Sequence, residues 1–259
     1  LSGCDTHLDR FVLGFEKTFF DGAASIEFRL PIAGSMNPMD PMGNTAYAGG
    51  SFGNLDVILK KVLLANDKRV LAAGLRVETP TGSLAYASDI SSGNATYTLD
   101  PDAVYLTPFL GMLRTYDDIW FVNSFLQLDI ATKGDRLITT VNNGAPQTSK
   151  INQPPIFQFD IGGGVWLVTP SSEQIGLAAV TELHLATAIG DEDAFSVADP
   201  LNLPNIFVAD IPIREILNVT GGLHAQFSSG LSVRAAVSAP LLHDRIFDTE
   251  AMVQVNCSF

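Results

Sequence analysis

The sequence predicts an all-β protein, an antiparallel up-and-down transmembrane β-barrel with eleven visible strands. Three observations predict it: segments in which apolar and polar residues alternate, connections that are alternately short and long, and a final amphipathic segment that ends on an aromatic residue. Alternation with a period of two indicates a strand with one apolar and one wet face. Short turns at one end and longer loops at the other are typical of outer-membrane barrels.

Composition favours the same class. The chain has 259 residues, of which 46% are hydrophobic and 17% charged, and its mean hydropathy is +0.22. It contains no run of about 18 uncharged apolar residues, so no membrane-spanning helix is predicted. Since only helices and closed barrels satisfy their backbone hydrogen bonds in lipid, an apolar chain of this kind favours a barrel. A net charge of −13 argues against a nucleic-acid partner.

We expect one β-barrel domain over residues 1–259. Turn signals such as Asp21-Gly22 separate some strands, and four long polar stretches, 33–51, 80–102, 131–155 and 190–213, are predicted as loops. The eleven alternating segments are 11–19, 26–32, 55–65, 70–79, 104–113, 119–130, 157–167, 177–185, 217–227, 231–237 and 247–259.

The strand count predicts that the parent barrel is larger. Bacterial barrels normally have an even number of strands with both termini in the periplasm. If the short connections are periplasmic, the first and last segments both descend, so we expect a barrel of about twelve strands whose signal peptide and first strand precede Leu1. Cys4 and Cys257 would then lie at opposite rims, about 25 Å apart. A disulfide needs Cα atoms within about 7 Å, so no bridge is expected.

The polar residues that alternate with the apolar ones form the predicted lumen lining. Their burial in lipid would be prohibitive, so they must face water or each other. They could line a narrow channel for small solutes, or they could form a network of ion pairs that fills a closed barrel. The set is Glu16, Glu27, Arg29, Arg76, Glu78, Gln127, Asp129, Gln158, Asp160, Glu182, His184, His224, Gln226 and Arg234.

Enzyme chemistry has weaker support. Glu182 and His184 share one face of a strand, and His224 has the same parity on the next, which could give a metal pair or an acid/base pair. No serine lies in a Gly-x-Ser-x-Gly elbow. We therefore expect no catalytic residue, no metal and no cofactor. Aromatics such as Tyr105, Trp120, Phe121 and Trp166 could form interfacial girdles, although Trp166 has inward parity, or they could belong to ordinary core packing.

Three short stretches carry a family resemblance: Phe15-Glu16-Lys17-Thr18-Phe19-Phe20-Asp21-Gly22, Leu183-His184 and Val253-Gln254-Val255-Asn256. The chain resembles a family of uncharacterised bacterial outer-membrane barrels, loosely similar to transporter-like barrels of the phenol-degradation type. Members of that family usually end in a basic pair before the final Phe, where this chain has Cys257-Ser258. The resemblance implies a fold and a bacterial outer-membrane location, but no substrate.

Three functions remain open from the sequence. The first is a passive channel for small solutes; the second is a closed barrel with a structural or adhesive role; the third is a soluble secreted β-sandwich that binds through its loops. For the first two, the expected partners are outer-membrane lipid and the barrel insertion machinery, which would read a C-terminal signal at Val253, Val255 and Phe259.

Overall fold

The computed structural model describes residues 8–36, 51–89, 95–140, 144–171, 174–190, 215–243 and 247–258. Within these ranges the chain forms sixteen strands in two sheets. Among the described residues there is no helix with the length and apolar character that crossing a membrane requires.

The large sheet is an antiparallel meander in which neighbours in space are neighbours along the chain. A two-residue strand, β3 (Ser51–Phe52), pairs with residues 32 and 33 of β2 (Ala24–Met36). The other strands, in spatial order, are β1 (Leu8–Phe19), β2 (Ala24–Met36), β4 (Leu55–Asn66), β5 (Arg69–Thr79), β8 (Tyr105–Tyr116), β9 (Trp120–Ala131), β12 (Ile156–Val168), β13 (Gly176–Ala188), β14 (Glu215–Gln226), β15 (Leu231–Pro240) and β16 (Glu250–Cys257).

These eleven strands correspond one to one with the eleven predicted segments, and the alternation of short and long connections is confirmed. Two of the short turns have both central residues at positive φ, Phe20 and Asp21 in one and Asp117 and Asp118 in the other. Their backbone twist matches that of the flanking strands, as in type I′ hairpins. All the short turns therefore lie at one end of the sheet, the short-turn rim, and the long connections at the other, the long-loop rim.

Two segments predicted as loops, 80–102 and 131–155, contain strands, and that part of the prediction is wrong. They supply a second antiparallel sheet, whose strands are β6 (Ala85–Asp89), β7 (Ala95–Asp100), β10 (Asp135–Thr140) and β11 (Gln147–Ile151). The strand order is β11-β10-β7-β6. Three of these short strands contain threonine, which is polar but whose β-branched side chain favours strands.

The other two predicted loops lie partly outside the described residues. The predicted loop 33–51 begins too early, because β2 continues to Met36, and its residues 37–50 lie outside the described ranges. Most of the predicted loop 190–213 does as well. Cys4 and Phe259 are also outside them, whereas Cys257 is a free, exposed thiol. The upstream strand and the single domain stay predictions.

Burial in the large sheet is the reverse of that in a soluble β protein. One face carries large apolar side chains that are exposed, such as Leu13 at 63% and Val253 at 75%. The opposite face holds the enclosed residues, including Thr107 at 0% and Ser238 at 3%. We call these the apolar face and the polar face. Water-soluble sheets bury their apolar side chains, so this arrangement suits a sheet surrounded by lipid.

Candidate functional site on the polar face

The register places all fourteen predicted lining residues on the polar face. Directly paired residues share a face, and Glu16 pairs with Glu27, Asp160 with His184, and His224 with Arg234. The same registers, continued across the sheet, give the other members the same side. That these residues line an open lumen stays a prediction.

An ion-pair cluster joins β1, β2 and β4. The Lys60 Nζ lies 3.0 Å from Glu16 Oε1 and 2.5 Å from Glu27 Oε2. Arg29 Nε donates to Glu27 Oε1 at 2.5 Å. Ser25 Oγ donates to the same Glu16 oxygen at 2.5 Å. Two cations therefore neutralise two carboxylates across three strands, and Lys60 is the central link.

A second cluster surrounds Arg76 on β5. Its Nη2 lies 3.0 Å from Glu78 Oε2 and 3.9 Å from Asp129 Oδ1, and its Nε lies 3.6 Å from Asp56 Oδ1. Asp56 Oδ1 and Arg76 Nε are buried and make no hydrogen bond. Three carboxylates thus share one guanidinium, which leaves this part of the face acidic.

Neutral side chains extend the second cluster toward β12. Asp129 accepts hydrogen bonds from Thr107 Oγ1 at 2.5 Å and from Gln158 Nε2 at 2.7 Å. Gln127 Nε2 in turn donates to Gln158 Oε1 at 2.8 Å. Every one of these contacts crosses between neighbouring strands, so the network ties the wall together from the inside.

His184 links three strands. Its Nδ1 lies 2.9 Å from Asp160 Oδ1 on β12, and its Nε2 lies 2.9 Å from Thr220 Oγ1 on β14. Beside it, Asn123 Nδ2 donates to Glu182 Oε1 at 2.6 Å, over Gly162. A Cβ at Gly162 would stand 2.3 Å from Glu182 Cγ, so glycine makes this bridge possible.

The predicted combination of Glu182, His184 and His224 does not assemble. His224 pairs with Ala178, six residues from His184 along β13, a separation of roughly 20 Å at strand spacing. His224 instead accepts from Arg234 Nε at 3.1 Å and lies edge-on to Trp166. In the described part of the chain, no three potential ligands form a metal-binding group.

Aromatic rings also occupy the polar face. Phe109 and Phe125 stack with ring centroids 5.2 Å apart, and Phe121 lies 6.0 Å from Trp166. Phe121 covers Gly164, where a Cβ would come within 2.3 Å of the ring. Of the four aromatics predicted as girdle residues, only Trp120 is on the apolar face, because Tyr105, Phe121 and Trp166 pair with polar-face residues.

The predicted lining set omits several contributors to the polar face, among them Asp56, Lys60, Thr107 and Asn123. In the segments containing the first three, the alternation is interrupted by apolar residues of the same parity, Ile58 and Phe109. Among described strand residues of this face, carboxylates outnumber cations. The carboxylates are Glu16, Glu27, Asp56, Glu78, Asp129, Asp160, Glu182 and Glu250, and the cations are Arg10, Arg29, Lys60, Arg76 and Arg234.

The small sheet is anchored to the long-loop rim through Asp135. Its Oδ1 accepts from the backbone N–H groups of Asp102 and Ala103, and its Oδ2 accepts from the Tyr105 hydroxyl, all at 2.9 Å. Lys133 Nζ lies 2.8 Å from Asp102 Oδ1. The hydrogen bond from this ammonium holds the pKa of the Asp102 carboxyl below its usual range.

A single antiparallel meander with polar residues on its enclosed face and apolar residues outside defines the class of up-and-down transmembrane β-barrels. The predicted fold class is confirmed. Among solved structures, the chain is similar to the toluene transporter TodX of Pseudomonas putida. The TM-score is 0.53 at 12% sequence identity, and the match covers 98% of this chain and 78% of that chain.

That likeness shows the fold, and it confirms the resemblance to transporter-like barrels at that level. No protein-family model matches the chain, and no curated protein matches it.

Proposed function

We propose that this protein is a transport barrel of the bacterial outer membrane that passes small solutes passively. The observation that carries the proposal is the reversed burial of the large sheet. Exposed apolar residues such as Leu13, Leu183 and Val253 cover the outside, while carboxylates and cations share the enclosed face. The apolar face requires lipid around it, and the polar face requires a wet interior. A soluble β-sandwich would bury the apolar face instead.

Two further observations support transport. The solved structure with the similar fold is a transporter, and its title names toluene as the solute. The polar face combines an acidic surplus with the stacked rings of Phe109 and Phe125, so both polar and weakly polar small molecules would find contacts on it. Insertion machinery and membrane lipid are the partners of this proposal, and it assigns no enzymatic step.

Two measurements test the proposal. Heat-modifiable migration on a gel after folding in detergent would support a membrane barrel, and its absence together with solubility in plain buffer would contradict one. Liposome swelling with small sugars, amino acids and an aromatic alcohol would then measure passage. A folded, inserted barrel that admits none of these solutes would refute the channel.

A closed lumen is the second candidate, and the ion-pair clusters favour it. Lys60 bridges Glu16 and Glu27, and Arg76 lies among three carboxylates. Such a network could fill the interior and rigidify the wall, leaving a structural or adhesive role to the long-loop rim. Planar-bilayer recording separates the two functions, because a closed lumen gives no single-channel conductance.

A further inference from the structure

Two arginines on the outside of the barrel at the short-turn rim have no ion-pair partner among the described residues. Arg69 on β5 and Arg114 on β8 are directly opposite each other in the ladder. They share the apolar face, because the next pair on that side is Leu71 with Met112, and Met112 is exposed. Like charges placed directly opposite destabilise a strand pair unless something neutralises them.

No described carboxylate neutralises this pair. Neither arginine forms an ion pair with any residue in the described ranges, unlike Arg29, Arg76 and Arg136. Asp67, in the adjoining turn, borders the same cleft but forms no ion pair with either arginine, and Asp117 and Asp118 are in the next turn. Among the described residues the two guanidinium groups therefore have no anionic partner, and an external anion can bind them.

The arginines also line a concavity. A shallow cleft of about 390 Å³ is bounded by Asn66, Asp67, Lys68, Arg69 and Arg114, and we call it the basic cleft. Three cations and one carboxylate give it a net positive lining in a chain with a net charge of −13. Two more exposed lysines, Lys17 and Lys61, lie on the same face near the same rim.

Aromatic residues mark the depth of the basic cleft. Arg114 packs over the Tyr116 ring at 4.7 Å, and Tyr116 pairs across the hairpin with Trp120, which is 58% exposed. Tyrosine and tryptophan concentrate where the hydrocarbon of a membrane meets its headgroups. Arginine at that level extends its head toward the phosphates while its stem stays in contact with apolar groups.

We propose that the basic cleft binds the phosphate headgroup of an anionic phospholipid in the leaflet at the short-turn rim. The proposal rests on the membrane placement argued above. Two opposed guanidinium groups can share one phosphate, since each donates paired hydrogen bonds to its oxygens. A lipid supplies the phosphate at the depth where the arginines lie, and its acyl chains would lie along the apolar face.

The test uses the full chain folded in detergent, with heat-modifiable migration as the check that the barrel has formed. Native mass spectrometry then compares retention of phosphatidylglycerol and phosphatidylethanolamine. Phosphatidylglycerol should be retained preferentially. R69Q/R114Q should weaken the retention of phosphatidylglycerol about 30-fold, because each cation near an anionic lipid contributes roughly fivefold to its binding. The control K133Q/K150Q removes the same charge at the other rim and should leave retention within about twofold of the unchanged protein.

Three results would overturn the lipid site. Equal retention of the two lipids would show that the site does not select for charge. Full retention by R69Q/R114Q would show that the arginines are not part of the site. Inorganic phosphate bound as tightly as phosphatidylglycerol, with the same dependence on the arginines, would remove the role of the membrane. A chain that shows no heat-modifiable form contradicts the barrel function itself, so the two failures are distinguishable.

Discussion

Arg10 on β1 and Glu250 on β16 belong to the two edge strands of an eleven-strand meander, yet Arg10 Nη2 and Glu250 Oε1 are 3.6 Å apart. The sheet must therefore curl until its first and last strands face each other. In the described residues these strands share no ladder. The ion pair thus spans a seam in the wall on the polar face.

Removing either partner should weaken the seam slightly. Both side chains are substantially exposed, so R10Q or E250Q should each lower the free energy of unfolding by about 0.5 kcal/mol. The double variant should lose no more than either single one, because both remove the same contact. Denaturant unfolding in detergent measures it. Fully additive losses would show that the two residues do not interact.

Lys60 should matter more. K60M leaves Glu16 and Glu27 with Arg29 as their remaining cation, and it should destabilise the barrel by about 1–3 kcal/mol. A fully buried pair would cost more, but Lys60 is 30% exposed and partly screened. E16Q/K60M should recover part of the loss, because it removes one of the like charges. A K60M protein as stable as the parent would contradict a bridging role.

Gly162 should not tolerate a methyl group. In G162A the new Cβ would meet Glu182 Cγ at 2.3 Å and the Thr181 carbonyl at 2.9 Å, so the wall must shift. The expected cost is about 1–3 kcal/mol in the free energy of unfolding. G221A is the matched control, because nothing lies within 4 Å of that position. Equal effects at both glycines would argue against the packing described around Gly162.

Acid should loosen the junction between the small sheet and the long-loop rim. The Lys133 hydrogen bond lowers the pKa of Asp102 in the folded protein. The contact between Asp102 and Lys133 therefore contributes to stability above the unfolded pKa of Asp102, which is about 4. This contribution is lost as the pH falls through the pKa of Asp102 in the folded protein. The hydrogen-exchange protection factors of the backbone amides of 99–106, each taken against the intrinsic exchange rate at the same pH, should fall below about pH 4. K133Q should remove this pH dependence, and an unchanged fall in K133Q would assign it to another group.

The eleven strands could be predicted because each carries its own signal. In segments such as 26–32 the alternation alone fixes which side chains share a face, and the two faces differ strongly in polarity. The alternation therefore groups the fourteen polar residues on the face that the ladder registers also give them, and their role as a lumen lining stays a prediction.

The contacts among those residues could not be predicted. Lys60 is on β4 and Glu16 is on β1, with β2 between them. Their side chains meet only because the register between β2 and β4 sets Glu27 opposite Ile58. Such registers depend on turn geometry and on bulges, like the one between Val62 and Leu64. The small sheet could not be predicted for a related reason. Its strands β7 and β10 come from different long connections, so their pairing is not visible in the local sequence pattern.

The two tryptophans of the chain provide the most direct test of the reversed faces. Trp120 lies on the apolar face and Trp166 on the polar face. In vesicles containing phospholipids brominated near the headgroup end of the acyl chain, W166F, which retains Trp120, should be strongly quenched. W120F, which retains Trp166, should keep most of its fluorescence. Strong quenching of Trp166 with Trp120 unaffected, or no quenching of either, would contradict the membrane barrel.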